Sequence, residues 1–267
     1  MRAHGAVMSL LLPVPIHTMG VACYVLQLPC RVREAAKLLH FFEITKFFEQ
    51  ERRIFMNLYY QMLDKIMSDG RTQTNKKGGI KYLTNEVLHL TPADLLDIFE
   101  THGIARKKLK TELSMFQAGI TSTEQYRQEG ITWWDYCGEQ LKNSYPTYFK
   151  RLPKLIKKIN AEKKNSKNYV LFLGETNVET NQQPCLSLVQ FQIEDGMLVL
   201  SAYQRSSDAN LGLPADIYHL YLMARQIDLP LKSITLFLGN VHIYESNLLR
   251  TYELLNGAQG VKFELNV

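Results

Sequence analysis

Residues 185–206 read CLSLVQFQIEDGMLVLSAYQRS, and no other stretch narrows the fold as much. Two runs of alternating apolar and polar residues flank Glu194-Asp195-Gly196. A period of two marks a strand with one buried face, and Asp-Gly is a favoured pair for a tight hairpin turn. The return run brings Arg205 back to the sheet end where Cys185 begins.

The rest of the chain supplies partners for that hairpin. Strands are expected at NYVLFLG (168–174) and SITLFLGNVHIY (233–244). Upstream, NLYYQMLDKIMSDG (57–70) has helical spacing and closes on Gly70, a good C-cap residue. Residues 71–90 read as a turn with two lysines leading into a strand, punctuated by Gly78-Gly79. Thr91 is placed to N-cap a helix with Pro92 at its first position. Further helices are predicted over 105–119, within 121–130, over the basic run 151–168 and over 214–227. The basic run reads as a solvated helix face. Helices come first and strands crowd the last third. That order predicts an α+β fold with a largely antiparallel or mixed sheet, not a βαβ alternation.

Composition limits the classes of function. With 267 residues and 46% apolar composition, the chain can bury one sizeable core, or one core plus an appendage. A net charge of +5 is too weak to argue for nucleic acid and suits a small phosphorylated partner equally well. Cys23, Cys30, Cys137 and Cys185 follow no zinc spacing and make no disulfide scaffold, so a reducing compartment, the cytoplasm, is expected and no metal site. The apolar N-terminus is interrupted by Pro13, Pro15 and His17, too broken for a membrane span and poor as a signal peptide. Residues 31–54 keep helical spacing, and Met56 is a natural start for a compact domain. The chain therefore divides into an extension of uncertain origin over 1–55 and a domain over 56–267.

The segment YQRSSDANLGLPADIY, 203–218, is expensive to bury and well suited to gripping an anion. A lone cysteine entering a strand is usually a small buried hydrophobe. With Arg205 returning beside it, the thiolate form of Cys185 is favoured, and the thiolate is the reactive one.

Taken together, Pro184-Cys185, the Gln204–Asp208 block, the Leu211–Ile217 block and the Gly239–Tyr244 block resemble the thymidylate synthase family, which includes the pyrimidine hydroxymethylases. TELSMFQAGITSTEQYRQEGITWWD (111–135) and YYQMLDKIMSDG (59–70) extend the resemblance upstream. It implies an α+β fold whose mixed sheet is packed by helices on one face and forms a homodimer interface with the other. It also implies transfer of a one-carbon unit from 5,10-methylenetetrahydrofolate to C5 of a pyrimidine nucleoside monophosphate.

The same resemblance implies roles residue by residue. Cys185 is the nucleophile, and Glu112 moves protons through water. Tyr145 is retained from a weakly matching segment, LKNSYP. Gln204 supports the cysteine, while Arg205 and Ser206 hold the phosphate. His242 and Tyr244 bind the sugar, and Trp134 and Asp208 face the folate. Lys76 and Lys167 take places where the family has phosphate-binding arginines, Lys167 in the segment that serves the partner subunit.

Each residue also has a plainer reading. Glu112 is an exposed helix acid, His242 a satisfied strand histidine, Trp133 and Trp134 core aromatics, and Arg205–Asp208 a surface ion pair. The sequence departs from the family in several places. Leu186 replaces the histidine after the nucleophile. Lysines, which lack the bidentate fork, replace arginines. Asp216 replaces the asparagine that reads the base edge. An amide donates and accepts, whereas an ionised carboxylate only accepts, which matches the amino group of cytosine and points to hydroxymethylation, while the resemblance as a whole points equally to uracil and methylation, so both outcomes stay open. The plainer reading of Asp216 is an acid favoured at a helix N-terminus. The rival to catalysis is a nucleotide-binding paralogue that kept the fold, and a blander one is a nucleic-acid surface on the basic run.

Overall fold

A computed structural model of the chain describes residues 57–175 and 183–265. The expectations for residues 1–55, including the helical spacing over 31–54, lie outside the described residues. Helix α1 (Leu58–Asp69) is N-capped by Asn57, whose side chain accepts from the Tyr59 and Tyr60 amides. Gly70 after it is not a left-handed cap: its φ is −61 and ψ 137. Its lack of a side chain serves a close approach instead, because a Cβ there would lie 2.4 Å from the Ile66 carbonyl oxygen.

The turn expected over 71–90 is a full hairpin. Strands β1 (Arg71–Asn75) and β2 (Gly78–Leu90) pair antiparallel, with Lys76 and Lys77 at the tip. All five β1 side chains are exposed, so this edge strand lacks the alternation that marks strands in sequence. Helix α2 (Pro92–Thr101) opens with a capping box between Thr91 and Asp94. Then follow α3 (Arg106–Ala118), closed by left-handed Gly119, and α4 (Thr123–Gln128). A 3-10 turn (Asp135–Cys137), α5 (Tyr145–Phe149) and α6 (Leu152–Glu162) complete the helical half. None of the described helices is long and apolar enough to cross a membrane.

The sheet is completed by β3 (Val170–Phe172), β4 (Leu186–Glu194), β5 (Met197–Gln204), the short β6 (Ser207–Asp208) and β7 (Leu231–Tyr244). Helix α7 (Gly212–Ala224) precedes β7, and α8 (Leu248–Leu255) follows it. Among the described residues the sheet has seven strands in the order β1-β2-β7-β5-β4-β3, with β6 beside β7. β5 and β6 run parallel to β7, and the other pairs are antiparallel. The sheet is therefore mixed, as predicted. It also contains one β-α-β crossover, β5-α7-β7, which the sequence reading did not anticipate.

One face of the sheet carries the core. Val189, Phe191, Leu200, Ala202, Leu236 and Leu238 point into it, against Phe116, Phe149, Ile217 and Leu220 of the helices. The opposite face has an apolar row. Val87 pairs with Phe237, Phe237 with Tyr203, Tyr203 with Leu188, and Leu188 with Phe172. Val87 is 57% exposed, Phe237 45%, Tyr203 43% and Phe172 61%.

Candidate active site

Cys185 stands immediately before β4, where the hairpin register slips. Glu194 pairs with Met197 and Leu188 with Tyr203, but Leu186 pairs with Gln204, so Ser187 is bulged. Without that extra residue the cysteine would face Ser206; with it, the Arg205 amide donates to the Cys185 carbonyl at 2.9 Å. The Arg205 side chain reaches back along the same segment. Its Nε donates to Pro184 O at 3.2 Å and its Nη2 to Gln183 O. Two of its five N–H groups are thus used, and the exposed remainder of the fork faces outward.

The expectation that Arg205 delivers a thiolate needs correction. Burial pushes the Cys185 thiol above its ordinary value; Arg205 and Lys77 pull it down, Asp216 pushes it up, and burial wins.

Behind the cysteine lies a buried polar cluster. Glu112 on α3 is 2% exposed, so the reading of an exposed helix acid is overturned. Trp133 Nε1 donates to its Oε1 at 2.6 Å, and Trp134 Nε1 donates to the same oxygen. The two tryptophans are therefore more than core aromatics. His219 Nε2 on α7 lies 3.2 Å from Glu112 Oε2. Asp216, one turn earlier on α7, accepts a hydrogen bond from Gln204 Nε2. It is not a helix N-terminal acid: it sits in the second turn and faces the site. Burial raises its carboxyl to about 6, against the opposing pull of His219 and Gln204. Tyr145 joins this cluster to the nucleophile. Its hydroxyl accepts from the Leu186 amide at 3.1 Å, and its ring lies 6.0 Å from that of Trp134 and 5.4 Å from that of Phe116.

A second group forms where β6 meets β7. Asp208 pairs with His242, and the Ala209 amide donates to the His242 carbonyl at 2.8 Å. The Tyr59 hydroxyl donates to Ala209 O at 2.7 Å, and Asn210 Nδ2 to Thr251 Oγ1 at 2.9 Å, so α1 and α8 both fix the segment. Burial raises the Asp208 carboxyl to about 6. His242 Nδ1 lies 3.0 Å from Asn240 Oδ1, and its ring meets Tyr244 edge-on at 5.2 Å. Burial, helped by Lys77, lowers His242 to about 4, so its ring is neutral near pH 7. Tyr244 is buried and raised above its ordinary value, mainly by burial. Ser206 is half-buried between β5 and β6. Arg205 and Asp208 form no ion pair.

One lysine assignment changes. Lys76 and Lys77 are both exposed at the hairpin tip, and Lys77 is the one whose ammonium reaches over Tyr136 toward the site. Lys77 Nζ sits 4.7 Å from the Tyr136 ring centre, and its charge is felt at Cys185, Asp208 and His242. In a two-residue tip only the three-dimensional turn decides which lysine faces inward. Lys167 is not gathered into this site: its carbonyl accepts from Gln190 Nε2, several residues along the sheet from Cys185.

The residue that sequence reasoning missed is His219. The available signal was its position one turn after Asp216 on a stripe shared with Leu213, Ile217 and Leu220. A polar residue on an apolar stripe asks for a partner. Among the described residues no group of three His, Cys, Asp or Glu is placed to hold a metal ion.

The geometry thus gathers a cysteine, a buried acid, a neutral histidine and a tethered arginine at one sheet end. A family model described as thymidylate synthase matches residues 57–266, and the chain belongs to the thymidylate synthase family.

Proposed function

We propose that this chain transfers a one-carbon unit from 5,10-methylenetetrahydrofolate to C5 of a pyrimidine nucleoside monophosphate, with cytosine favoured over uracil, through an adduct on Cys185. The observation that carries the proposal is the single cluster in which Tyr145 joins Cys185 to Glu112 and to the Gln204–Asp216 pair. C5 of a pyrimidine is a poor nucleophile. The Cys185 thiol gives up its proton as its sulfur bonds to C6, which moves the ring's electron pair toward C5 and the exocyclic group so that C5 can attack; C5 then loses its own hydrogen as a proton, and the C6–sulfur bond breaks to restore the ring, which is covalent catalysis. Glu112 moves protons at the exocyclic group in this reading. Ionised Asp216 offers only acceptors, which fits an amino group at ring position 4. The exposed part of the Arg205 fork and Lys77 supply positive charge for the phosphate.

The folate supplies the one-carbon unit. The residues on its side fit it: Asp208 is a carboxylate acceptor fixed by the Asn210 amide at 3.0 Å, and Trp134 is a half-buried indole. With cytosine, water completes the reaction and gives a hydroxymethyl group; with uracil, hydride from the folate gives a methyl group.

The apolar row across five strands supports a homodimer through the sheet face, and Lys167 then belongs to the partner's site. Cys137 and Cys185 are free thiols, which supports a reducing compartment such as the cytoplasm. Lys158, Lys163 and Lys164 pair with Glu162 and Asp228, which supports a solvated helix face over a nucleic-acid track.

The raised Cys185 thiol favours a second reading, a nucleotide binder without turnover. Tritium release from C5-labelled dCMP and dUMP, with and without the folate, separates the two. Release is expected from dCMP and is abolished in Cys185→Ser, which keeps nucleotide affinity within a few-fold. No release from either nucleotide by a folded protein that binds them favours the binder.

A further inference from the structure

His219 has no part in the chemistry above, yet it is tied to the acid behind it. It is 5% exposed, on the inward face of α7. Its Nε2 lies 3.0 Å from Leu109 O and 3.2 Å from Glu112 Oε2. A backbone carbonyl only accepts, so Nε2 carries a hydrogen. Asp216 lies three residues earlier, on the same helix face. The ring therefore stands among two carboxyl groups that share one buried site. The charge of Glu112 raises the Asp216 carboxyl, and a cation on His219 opposes that push.

The other titratable groups around this site do not supply that cation. Tyr145 of α5 and Tyr126 of α4 have hydroxyls raised above their ordinary value, chiefly by burial. Cys185 before β4 is a raised thiol, with Arg205 and Lys77 on its far side. Burial pulls His219 down, but the hydrogen bond and charge of Glu112, the charge of Asp216 and the Leu109 carbonyl leave it above its ordinary value.

We propose that His219 selects the base: as a cation beside Glu112 and Asp216 it keeps Asp216 ionised and thus an acceptor for an amino group, and without that charge Asp216 takes a proton and presents a donor to a carbonyl. The inference rests on the reading that Asp216 faces the exocyclic group of the pyrimidine. The atoms allow it. Gln204 Nε2 occupies Asp216 Oδ2, and among the described residues nothing donates to Oδ1. Ionised, that oxygen accepts from cytosine N4–H; protonated, it donates to uracil O4. His219 touches neither ring and is a positioning residue.

The test is equilibrium binding of dCMP and dUMP, without folate, from pH 5 to pH 8, in the wild type and in His219→Gln. The nucleotide phosphate titrates in the same range for both ligands, so the ratio of the two affinities is the readout. In the wild type the preference for dCMP is expected to rise about tenfold through the Asp216 titration, the size of one hydrogen bond gained or lost. In His219→Gln the rise moves to higher pH, and at pH 7 the preference falls about fivefold or more. A folded His219→Gln protein with the wild-type ratio and midpoint overturns the inference and leaves the parent reading standing. So does a wild-type ratio that is flat across the range. Binding of neither nucleotide overturns the parent reading, and base selection with it. Should His219→Gln fail to fold, the His219 ring resonance in Asp216→Asn decides: its midpoint is expected to fall, and an unmoved midpoint counts against the coupling.

Discussion

At Glu112, three N–H donors from Trp133, Trp134 and His219 converge on one buried carboxyl group. Replacing it by glutamine keeps the shape but turns an N–H₂ donor toward at least one of those donors. Turnover of Glu112→Gln is expected to fall by roughly 10²–10⁴-fold, the span of a lost acid–base group, with nucleotide affinity less affected. Steady-state rates beside direct binding measure the split. A second residue-scale outcome concerns stability. His102 is 8% exposed, its ring lies 5.6 Å from that of Phe263, and its Nε2 has no partner among the described residues. Burial lowers it to about 4. Above pH 6.5 both folded and unfolded chains hold it neutral. As pH falls from 6.5 toward 4, only the unfolded chain takes the proton, so stability is lost across that window, on the order of 3 kcal/mol at most. His102→Phe is expected to flatten this acid limb in urea unfolding followed against pH.

Elements set the site through register. The slip at Ser187 carries Cys185 across from Arg205, and Gly239 lets the end of β5 lie close to β7. A Cβ at 239 would sit 2.7 Å from the Tyr203 hydroxyl and 3.1 Å from the Arg205 carbonyl oxygen. The hydroxyl can swing away, but the backbone cannot. Gly239→Ala is therefore expected to lose about 1–3 kcal/mol of stability, as overpacked sites do, and to weaken nucleotide binding by displacing Arg205. Urea titration and nucleotide binding report the two effects. Neither device was legible in the sequence. A bulge leaves no mark in an alternating pattern beyond one change of phase, and Gly239 is needed for what lies across the sheet rather than for its own turn.

On the scale of the whole molecule, the sheet buries one face under the helices and leaves Val87, Phe237, Tyr203 and Phe172 in a row on the other. A contiguous exposed apolar row of this kind supports the proposed dimer interface. Phe237→Lys places a charge at its centre. Under the proposed homodimer the wild type sediments as a dimer and Phe237→Lys as a monomer in sedimentation velocity, with the far-ultraviolet circular dichroism unchanged; a monomeric wild type overturns the dimer proposal. If Lys167 serves the partner's site, activity falls along with dimerisation.

The sequence by itself determined the class of fold and the family. Period-two runs around Glu194-Asp195-Gly196 made strands, caps such as Thr91 bounded helices, and the blocks from Pro184 to Tyr244 carried the resemblance to the family. These are local signals, carried by neighbours in the chain. What only the tertiary structure decided is which groups share a low-dielectric space. It buried Glu112, chose Lys77 over Lys76, left Lys167 apart, raised the Cys185 thiol despite Arg205, and set His219 beside Glu112 on the face it shares with Asp216. The reason is physical. Charge and proton affinity depend on distance and burial, and both are fixed by residues that lie far apart in sequence.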